Sequence, residues 1–544
     1  MTTNAATGAA MTTLIGTRHL IRLILRRDRL LLPLWVVPLG LLPMTYARSF
    51  QELFPTAAER QQYATTGGTN AGLVSLYGPL TGPSLGELVV WRGGFLPIIV
   101  ALASLLTVIR HTRVEEETGR RELLGATVLG RHAGLAAALV TTFAANLLLG
   151  ALVAVTLAGS LPVAGSIAAG TQLVVAGWTF AAIGGLAAQL TTGAGAARGI
   201  ALGALGGVFL LRAVGDISGL SDGPFSWASW LSPIGWAHRI EPYAGDHWWV
   251  LGPAGAVTAL VVAAAVVLSA RRDLGAGLLP DRLGPATAAA GFRTPLALAW
   301  RLHRGSLAGW LVGFVLLGVV FGGLADSVGD MVGDNQDLAD IFLRMGGRSA
   351  LVDAYLVGIM QILGLLAAAY GIQAALRMRA EEVGMRAEPV LTAGVGRLRW
   401  AGSHLVFAAL GPAGALLGAG AATGLVHGLN AGDIGGELPR VIGAAAVQLP
   451  AVWVLTAIAV ALTGLLPRLV GASWAGLAVC LLLTLVGAAM RLDQWLLDVS
   501  PFTHLPKMPG GAVAVAPLVW LAMVAAGLAT GGLTGLRRRD IPVT

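Results

Sequence analysis

Glu115-Glu116-Glu117-Thr118-Gly119-Arg120-Arg121-Glu122 and Glu381-Glu382-Val383-Gly384-Met385-Arg386-Ala387-Glu388 share the pattern Glu-Glu-x-Gly-x-Arg, followed closely by another Glu. A Gly-Arg pair follows each stretch, Gly130-Arg131 in the first case and Gly396-Arg397 in the second. The distance from the Glu-Glu-x-Gly-x-Arg pattern to the pair is one residue longer in the second case. Each stretch lies between two long apolar runs, about half a chain from the other. The repetition predicts two similar halves, each with one charged loop between membrane-spanning helices.

The composition is that of a polytopic membrane protein. Of the 544 residues 56% are hydrophobic and 12% charged, and the mean hydropathy is +0.75, whereas soluble proteins carry about a quarter charged residues. The net charge of +8 is explained by basic residues that hold membrane loops inside the cell, so nucleic acid is not an expected partner. The 35 arginines beside a single lysine favour a GC-rich, actinobacterial source.

Little in the sequence favours a metal site or a cleaved leader. The single cysteine, Cys480, excludes an intrachain disulfide and a cysteine cluster. The nine histidines contain no His-x-x-x-His pair, and no resident metal or cofactor is expected. The first 13 residues lack a basic region ahead of an apolar run, so no cleavable signal peptide is expected.

The apolar runs predict twelve membrane spans, six in each half, because one span needs about 20 apolar residues. They lie near 30–48, 86–109, 132–158, 167–190, 197–214, 248–270, 306–325, 351–376, 401–425, 438–463, 469–488 and 513–535. The fold class is therefore all-α, with a first repeat at 1–270, a cytoplasmic linker at 271–305 and a second repeat at 306–544. An even number of spans per half makes the two repeats parallel.

An amphipathic helix is predicted before the first span of each repeat. Residues about 14–29 carry Arg18, Arg22 and Arg26 at four-residue spacing, opposite an apolar face, which is typical of a helix lying in the membrane interface. The alternative is a cytoplasmic extension of the first span. The stretch 296–304 repeats this layout before span seven.

Basic residues predict the orientation. With both termini in the cytoplasm, 26 of the 36 basic residues lie inside and 10 outside, as the positive-inside rule requires. The charged loops, about 110–131 and 377–400, are then cytoplasmic. Two segments with the pattern Ser-Pro-x-x-aromatic or Ser-Pro-aromatic, at 231–236 and 499–504, lie outside and are predicted to turn back into the membrane.

No motif for ATP hydrolysis is present. A P-loop requires Gly-Lys-Ser or Gly-Lys-Thr, and the only lysine, Lys507, precedes Met508. Charged residues near the outer ends of spans, Glu87, Arg92 and Asp353, are interpreted as interface or gate residues, with substrate contact as the alternative. The series Asp326, Asp330, Asp334, Asp337 and Asp340 predicts a solvated outer helix face rather than a calcium loop.

Taken together, these features resemble a fused, double-length permease of the ABC type-2 exporter superfamily. The chain is most similar to the actinobacterial group linked to export of polyketide antibiotics such as tetronasin. The similar features are the two six-span repeats, the basic interfacial helices, the charged loops and the Ser-Pro segments.

The resemblance implies that each charged loop is a coupling loop that contacts an ATPase subunit. Residue by residue, it implicates Glu116, Glu117, Gly119, Arg121, Glu122, Glu381, Glu382, Gly384, Arg386 and Glu388. The glutamate pairs are expected to face the ATPase, and Gly119 and Gly384 are expected to provide a backbone turn. The alternative is a loop that only anchors topology. Pro389 departs from the first loop, which has Leu123, so the two contacts need not be equal.

The resemblance also implies the mechanism. Two copies of a separate ATPase subunit, which bind ATP and Mg, would drive export of a hydrophobic or amphiphilic small molecule across the plasma membrane. Candidate residues for the substrate cavity are Trp91, Phe95, Trp178 and Phe180, although packing against lipid or core is the simpler interpretation of each. Competing functions are a secondary transporter, a lipid exporter, and a scaffold or sensor that anchors a partner.

Overall fold

The chain folds into two compact units of helices, Met1–Gly284 and Pro285–Thr544. The division lies inside the predicted linker. A computed structural model describes residues 13–69, 71–125, 128–220, 223–279, 286–287, 290–333, 347–486, 493–511 and 514–539. All regular structure within these ranges is helical, which confirms the predicted all-α class.

Eleven helices among the described residues are long and apolar enough to cross a membrane. They are Leu31–Leu53, Leu96–Glu117, Ala133–Ala158, Val163–Leu190, Ala194–Gly219, Trp248–Ala270, Pro295–Ala325, Val352–Val383, Arg397–Ala431, Ile434–Leu465 and Val515–Arg538. A shorter apolar helix, Ala472–Thr484, lies at the remaining predicted position. A multi-pass membrane protein is thereby confirmed, while the count of twelve stays a prediction.

Short helices complete the first unit. They are Thr17–Arg27, Ala57–Gly68, Ala71–Tyr77, Leu85–Arg92, Arg113–Glu117, Arg120–Gly125 and Pro233–His238, with 3-10 turns at Ser226–Leu231 and Trp248–Val250. The predicted second span at 86–109 is thus two helices, Leu85–Arg92 and Leu96–His111. They separate beside Gly94, where a side chain would collide with the carbonyl oxygen of Tyr77.

The described part of the second unit has fewer short helices. Its short elements are Ala387–Thr392, Gln494–Leu497 and 3-10 turns at Ala290–Phe292 and Pro501–His504. The predicted separate interfacial helix at 296–304 is wrong, because one continuous helix runs from Pro295 to Gly333. That range contains no proline after its first residue, whereas in the first unit Pro33 lies in the first turn of a new helix that begins at Leu31. A proline is best accommodated in the first turn of a helix, so Pro33 favours a helix start there.

The interfacial helix of the first unit, Thr17–Arg27, has the amphipathic character that the sequence predicts. Ile24 is buried against the unit, while Leu23 and Leu25 are about half exposed. Its arginines at 18, 22 and 26 are also exposed. Exposed leucines beside exposed arginines suit the boundary between lipid tails and headgroups.

The two Ser-Pro segments form matching turns. Ser232 accepts a hydrogen bond from the amide of Gly235 at 3.3 Å, and Ser500 accepts one from Phe502 at 3.4 Å. The proline after each serine is buried. The serines therefore cap short helices at corresponding places in the two units.

Candidate coupling loops

The first charged loop is a helix, a turn and a second helix. Arg113–Glu117 forms one helical turn, Thr118 and Gly119 reverse the chain, and Arg120–Gly125 follows. Gly119 has φ +70°, a left-handed conformation that side chains disfavour. The turn brings the carboxylates before it close to the arginines after it.

Glu116 is the centre of this loop. Its side chain is 3% exposed and accepts hydrogen bonds from Arg113 at 2.6 Å and from Arg121 at 3.2 Å. Burial lowers the pKa of the Arg121 guanidinium, and the Glu116 carboxylate opposes that shift. A buried charge is tolerated when it is paired in this way.

Arg272 links Glu116 to the end of the last span in the first unit. It lies two residues beyond the helix Leu251–Ala270. Its Nη1 and Nη2 donate to the two oxygens of Glu116 at 2.7 and 2.9 Å, and its Nε donates to Gln189 at 2.8 Å. A bidentate pair holds both partners in one relative orientation, so the loop and this helix end are connected directly.

The neighbouring glutamates tie the loop to two other helices. Glu115 accepts a hydrogen bond from Arg27, at the end of the interfacial helix, at 2.6 Å. Glu117 accepts one from the backbone amide of Ala194 at 2.9 Å, where the helix Ala194–Gly219 begins. A carboxylate at a helix N-terminus satisfies a free amide and complements the helix dipole. All three glutamates thus have partners inside the first unit.

The second loop has the same plan. Glu382, with a side chain 0% exposed, pairs with Arg379 at 3.0 Å. Arg539 directs its Nη2 to both oxygens of Glu382, at 2.5 and 2.6 Å. Arg539 follows the last residue of the helix Val515–Arg538. In both units a buried glutamate of the loop therefore binds an arginine just after the last span.

The Gly-Arg pairs complete the same arrangement. Arg131 donates to the carbonyl oxygen of Arg272 at 3.2 Å, and Arg397 donates to that of Arg539 at 2.7 Å. Each thereby contacts the backbone of the arginine that holds the loop glutamate. The repeated Gly-Arg pair in the sequence thus has a repeated structural role.

The two loops can be aligned by their backbone hydrogen bonds or by their shared sequence motif. The two alignments differ by one residue. The amide of Gly119 donates to the carbonyl of Glu116, and that of Met385 donates to the carbonyl of Glu382, both at 3.0 Å. Met385 has φ +57° and so occupies the position of Gly119. Structurally, Glu116 corresponds to Glu382 rather than to Glu381, which the motif pairs with it.

The backbone turn expected at Gly384 is present at Gly384 and Met385, but the left-handed residue of that turn is Met385 rather than the glycine. Gly384 corresponds to Thr118, since their amides donate to Ala380 and Val114 at 3.0 and 3.1 Å. Arg386 likewise corresponds to Arg120. Arg386 pairs with Glu381 at 3.1 Å, and Arg120 approaches Glu115 at 3.5 Å.

The implicated loop residues fall into an inner and an outer set. Glu116, Glu381 and Glu382 are buried, and Arg121 and Glu388 are partly exposed. Glu117, Glu122, Gly384 and Arg386 are exposed, as is Leu123. The structure therefore differs from the expectation of glutamate pairs that face outward, because the arginines of the same unit surround three of these four carboxylates.

Sequence reasoning missed the arginines that hold the buried glutamates: Arg113, Arg272, Arg379 and Arg539. One sequence feature could have indicated two of them. Both halves end their last span with consecutive arginines, Arg271-Arg272 and Arg537-Arg538-Arg539. By sequence alone, such clusters indicate topological anchors.

The four aromatic candidates for a substrate cavity are packing residues in this structure. Trp91 is buried beside Tyr63 and Tyr77 and donates to the carbonyl of Gly78 at 2.8 Å. Phe180 is fully buried, and Trp178 stacks on Phe143 with ring centroids 5.0 Å apart. Phe95 is partly buried and packs near Tyr77, with centroids 6.2 Å apart.

The charged residues at the outer ends of spans have local partners. Glu87 accepts a hydrogen bond from the amide of Ser84 at 2.9 Å, Arg92 donates to the Tyr77 hydroxyl at 2.5 Å, and Asp353 pairs with Arg440. These contacts favour the interpretation as interface residues. Asp334, Asp337 and Asp340 of the acidic series lie outside the described residues, as do the side chains of Asp326 and Asp330.

The fold and the repeated loops define a multi-pass, all-α membrane protein whose two units each contain one charged loop tied to the end of a span. Among the described residues no group of three or more His, Cys, Asp or Glu could hold a metal ion. The chain is 43% identical over 528 residues to the multidrug efflux system permease protein Rv1217c of Mycobacterium tuberculosis, an alignment covering 97% of this chain and 95% of that protein.

Residues 292–537 match the family described as the multidrug efflux system permease Rv1217c, C-terminal domain. The chain belongs to this family of efflux permeases. The predicted permease class is thereby confirmed, and the mycobacterial relative agrees with the predicted actinobacterial source. The assignments to ABC type-2 exporters and to the tetronasin group stay predictions.

Proposed function

We propose that the chain is the membrane-spanning subunit of an ATP-driven ABC exporter that removes hydrophobic or amphiphilic compounds from the cell. Two copies of a separate ATPase subunit, each binding ATP and Mg, would dock on the two coupling loops. The relative from Mycobacterium tuberculosis is named a multidrug efflux system permease, which supports export of several compounds. The observation that carries the proposal is the repeated connection between each loop and the last span of its unit.

This connection supplies a mechanical path within each unit. Force on the first loop reaches the end of the helix Leu251–Ala270 through Glu116 and Arg272. In the second unit it reaches the helix Val515–Arg538 through Glu382 and Arg539. Buried, charge-assisted pairs transmit displacement better than exposed ones because both partners are held. The buried glutamates are therefore assigned to transmission.

The outer set of residues is assigned to ATPase contact. In the first loop Arg120 and Leu123 are exposed, the latter by 77%. In the second loop Met385 and Arg386 are exposed. Exposed apolar and basic side chains at a loop tip suit an interface with an apolar centre and a charged rim. One such tip in each unit gives two docking positions.

The test is co-expression of the chain with its cognate P-loop ATPase subunit. We expect a native mass of one permease with two ATPase copies, and no ATPase activity from the permease alone. A mass with one ATPase copy would contradict the two docking positions. Arg120→Glu combined with Arg386→Glu should abolish ATPase co-purification and efflux of a fluorescent hydrophobic dye.

A matched control reverses the same number of arginine charges elsewhere. Arg198 and Arg468 are exposed, lie on the predicted cytoplasmic side and are outside the coupling loops. Arg198→Glu combined with Arg468→Glu should retain the ATPase and the efflux, at equal membrane abundance. Loss of ATPase binding in both double variants would show a general charge effect and contradict the assignment of the loop tips.

One observation favours the secondary transporter as a second candidate. The span Ala194–Gly219 carries a buried Arg212 that lies 3.6 Å from Asp216, and intramembrane charges mark ion pathways in many transporters. Arg212 also donates to the carbonyl of Ser75, which is a structural role. Efflux that persists with an ATPase unable to hydrolyse ATP, but stops in Asp216→Asn, would favour this candidate over the exporter.

A further inference from the structure

A cavity of about 360 Å³ lies in the first unit between the interfacial helix and the coupling loop. The interfacial helix contributes one wall, through Leu20, Leu23 and Arg27. The segment that begins the helix Ala133–Ala158 and the end of the last span contribute the others, through Leu129, Arg131 and Arg272. The volume is within the range of pockets that bind small organic molecules.

The polar part of the cavity is basic. Four arginines line it and three carboxylates accompany them: Arg27, Arg121, Arg131, Arg272, Glu115, Glu116 and Asp273. Arg272 and Arg121 are engaged by Glu116. Arg27 gives one N–H to Glu115 and Arg131 gives one to a backbone carbonyl, although a guanidinium has five N–H donors. These two arginines therefore retain donors for an anion.

The remaining part of the cavity is apolar. Leu20, Leu23, Ile24, Leu129 and Leu135 line it. Leu23 is 47% exposed, so the leucine wall of the cavity is open to its surroundings. A ligand for this cavity must therefore combine an anionic group with a hydrocarbon portion. An inorganic anion would leave the leucine wall unused.

We propose that this cavity binds an anionic phospholipid, with the phosphate between Arg27 and Arg131 and the acyl chains against the leucines of the interfacial helix. The amphipathic character of that helix places the cavity at the depth of lipid headgroups. Basic pockets at such depths suit anionic headgroups. A phosphate there also competes with Glu115 for Arg27, so lipid binding would alter the contact between the interfacial helix and the coupling loop. The site would bind lipid whatever drives transport.

The experiment is native mass spectrometry of the full-length, detergent-purified chain with dioleoyl phosphatidylglycerol. We expect one tightly bound lipid per chain. Arg27→Gln combined with Arg131→Gln should weaken that binding at least about tenfold, because two charge-assisted contacts are lost. Dioleoyl phosphatidylcholine should bind more weakly than phosphatidylglycerol. Inorganic phosphate and glycerol 3-phosphate should not displace the lipid at equal concentration.

Two further variants keep the result decisive. Arg18→Gln combined with Arg22→Gln removes two exposed arginines from the same helix outside the cavity and should leave the lipid bound. Leu23→Trp fills the apolar side of the cavity and keeps every charge. It should displace the lipid even if the arginine variant fails to fold. Equal binding by wild type and Leu23→Trp, or equal losses in the two arginine variants, would overturn the proposal. Displacement by free phosphate would overturn the assignment to lipid.

Discussion

Arg272 and Glu116 are 156 residues apart in the chain and form a two-point ion pair, with N–O distances of 2.7 and 2.9 Å. The pair is almost fully buried, with side chains 7% and 3% exposed. It joins the first charged loop to the helix that ends the first unit. Its strength can be tested independently of any partner protein.

We predict that Glu116→Gln lowers the stability of the first unit by about 3 kcal/mol, because removal of one charge leaves buried arginines without compensation. The measurement is the unfolding midpoint of the detergent-purified protein, followed by tryptophan fluorescence. Glu122 is exposed in the same loop, so Glu122→Gln is the control and should change stability by less than about 0.5 kcal/mol. Similar midpoints for the two variants would show that the Glu116 cluster contributes little.

The correspondence of Glu382 with Glu116 leads to a second prediction, in the second unit. A double-mutant cycle between Arg539→Gln and Glu382→Gln should give a coupling energy of about 1–3 kcal/mol, because these residues are in contact. The cycle between Arg539→Gln and Glu381→Gln should give a smaller value, since Glu381 pairs with Arg377 and Arg386. Stronger coupling of Arg539 to Glu381 would instead support the alignment by sequence motif, in which Glu381 corresponds to Glu116.

The turn residues give a third prediction. Gly119→Ala should destabilise the protein by about 1–2 kcal/mol, the cost of placing a side chain in the left-handed region. Met385→Gly should not destabilise it, although it removes a whole side chain, because it relieves the same strain at φ +57°. Thermal unfolding of both variants measures this. A destabilised Met385→Gly protein together with an unaffected Gly119→Ala protein would contradict it.

The proposed orientation gives a fourth prediction. In a Cys480→Ala background, a cysteine replacing the exposed Ala58 should react with an impermeant thiol reagent in intact cells. A cysteine replacing Arg120 should react only after permeabilisation, because the basic bias places that loop inside. The read-out is the labelled fraction by gel shift. Reaction of both positions in intact cells would contradict the assignment of both termini to the cytoplasm.

The sequence predicted the helices well because a membrane leaves few alternatives. Twenty apolar residues between charged loops can satisfy their backbone only as a helix. Breaks within helices are harder to predict from the sequence. The interruption between Arg92 and Leu96 depends on the approach of Tyr77 to Gly94, a tertiary contact without a local sequence pattern. The continuous helix Pro295–Gly333 likewise reflects the absence of a proline rather than any positive pattern.

The sequence is sufficient to locate the two charged loops. It does not show which of their glutamates are buried against arginines and which are exposed. The repeated glutamates, Gly-Arg pairs and flanking spans indicated which loops matter. Whether a glutamate faces solvent or an arginine depends on residues more than 150 positions away, such as Arg272 for Glu116 and Arg539 for Glu382. A single sequence contains no information on such pairings beyond opposite charge.

The left-handed Met385 bears on the history of the gene. Glu116 and Glu382 are 266 positions apart, and so are Arg131 and Arg397. If the halves descend from one duplicated ancestor, no insertion or deletion is needed between these landmarks. The shared Glu-Glu-x-Gly pattern would then have arisen by chance. In the second half a glycine would have appeared at position 384, one residue before the left-handed position, and the glycine at that position would have been replaced by Met385. Alignments that match the glycines would misassign the residues between them, and chimaeras exchanging the two loops should be cut at positions 266 apart.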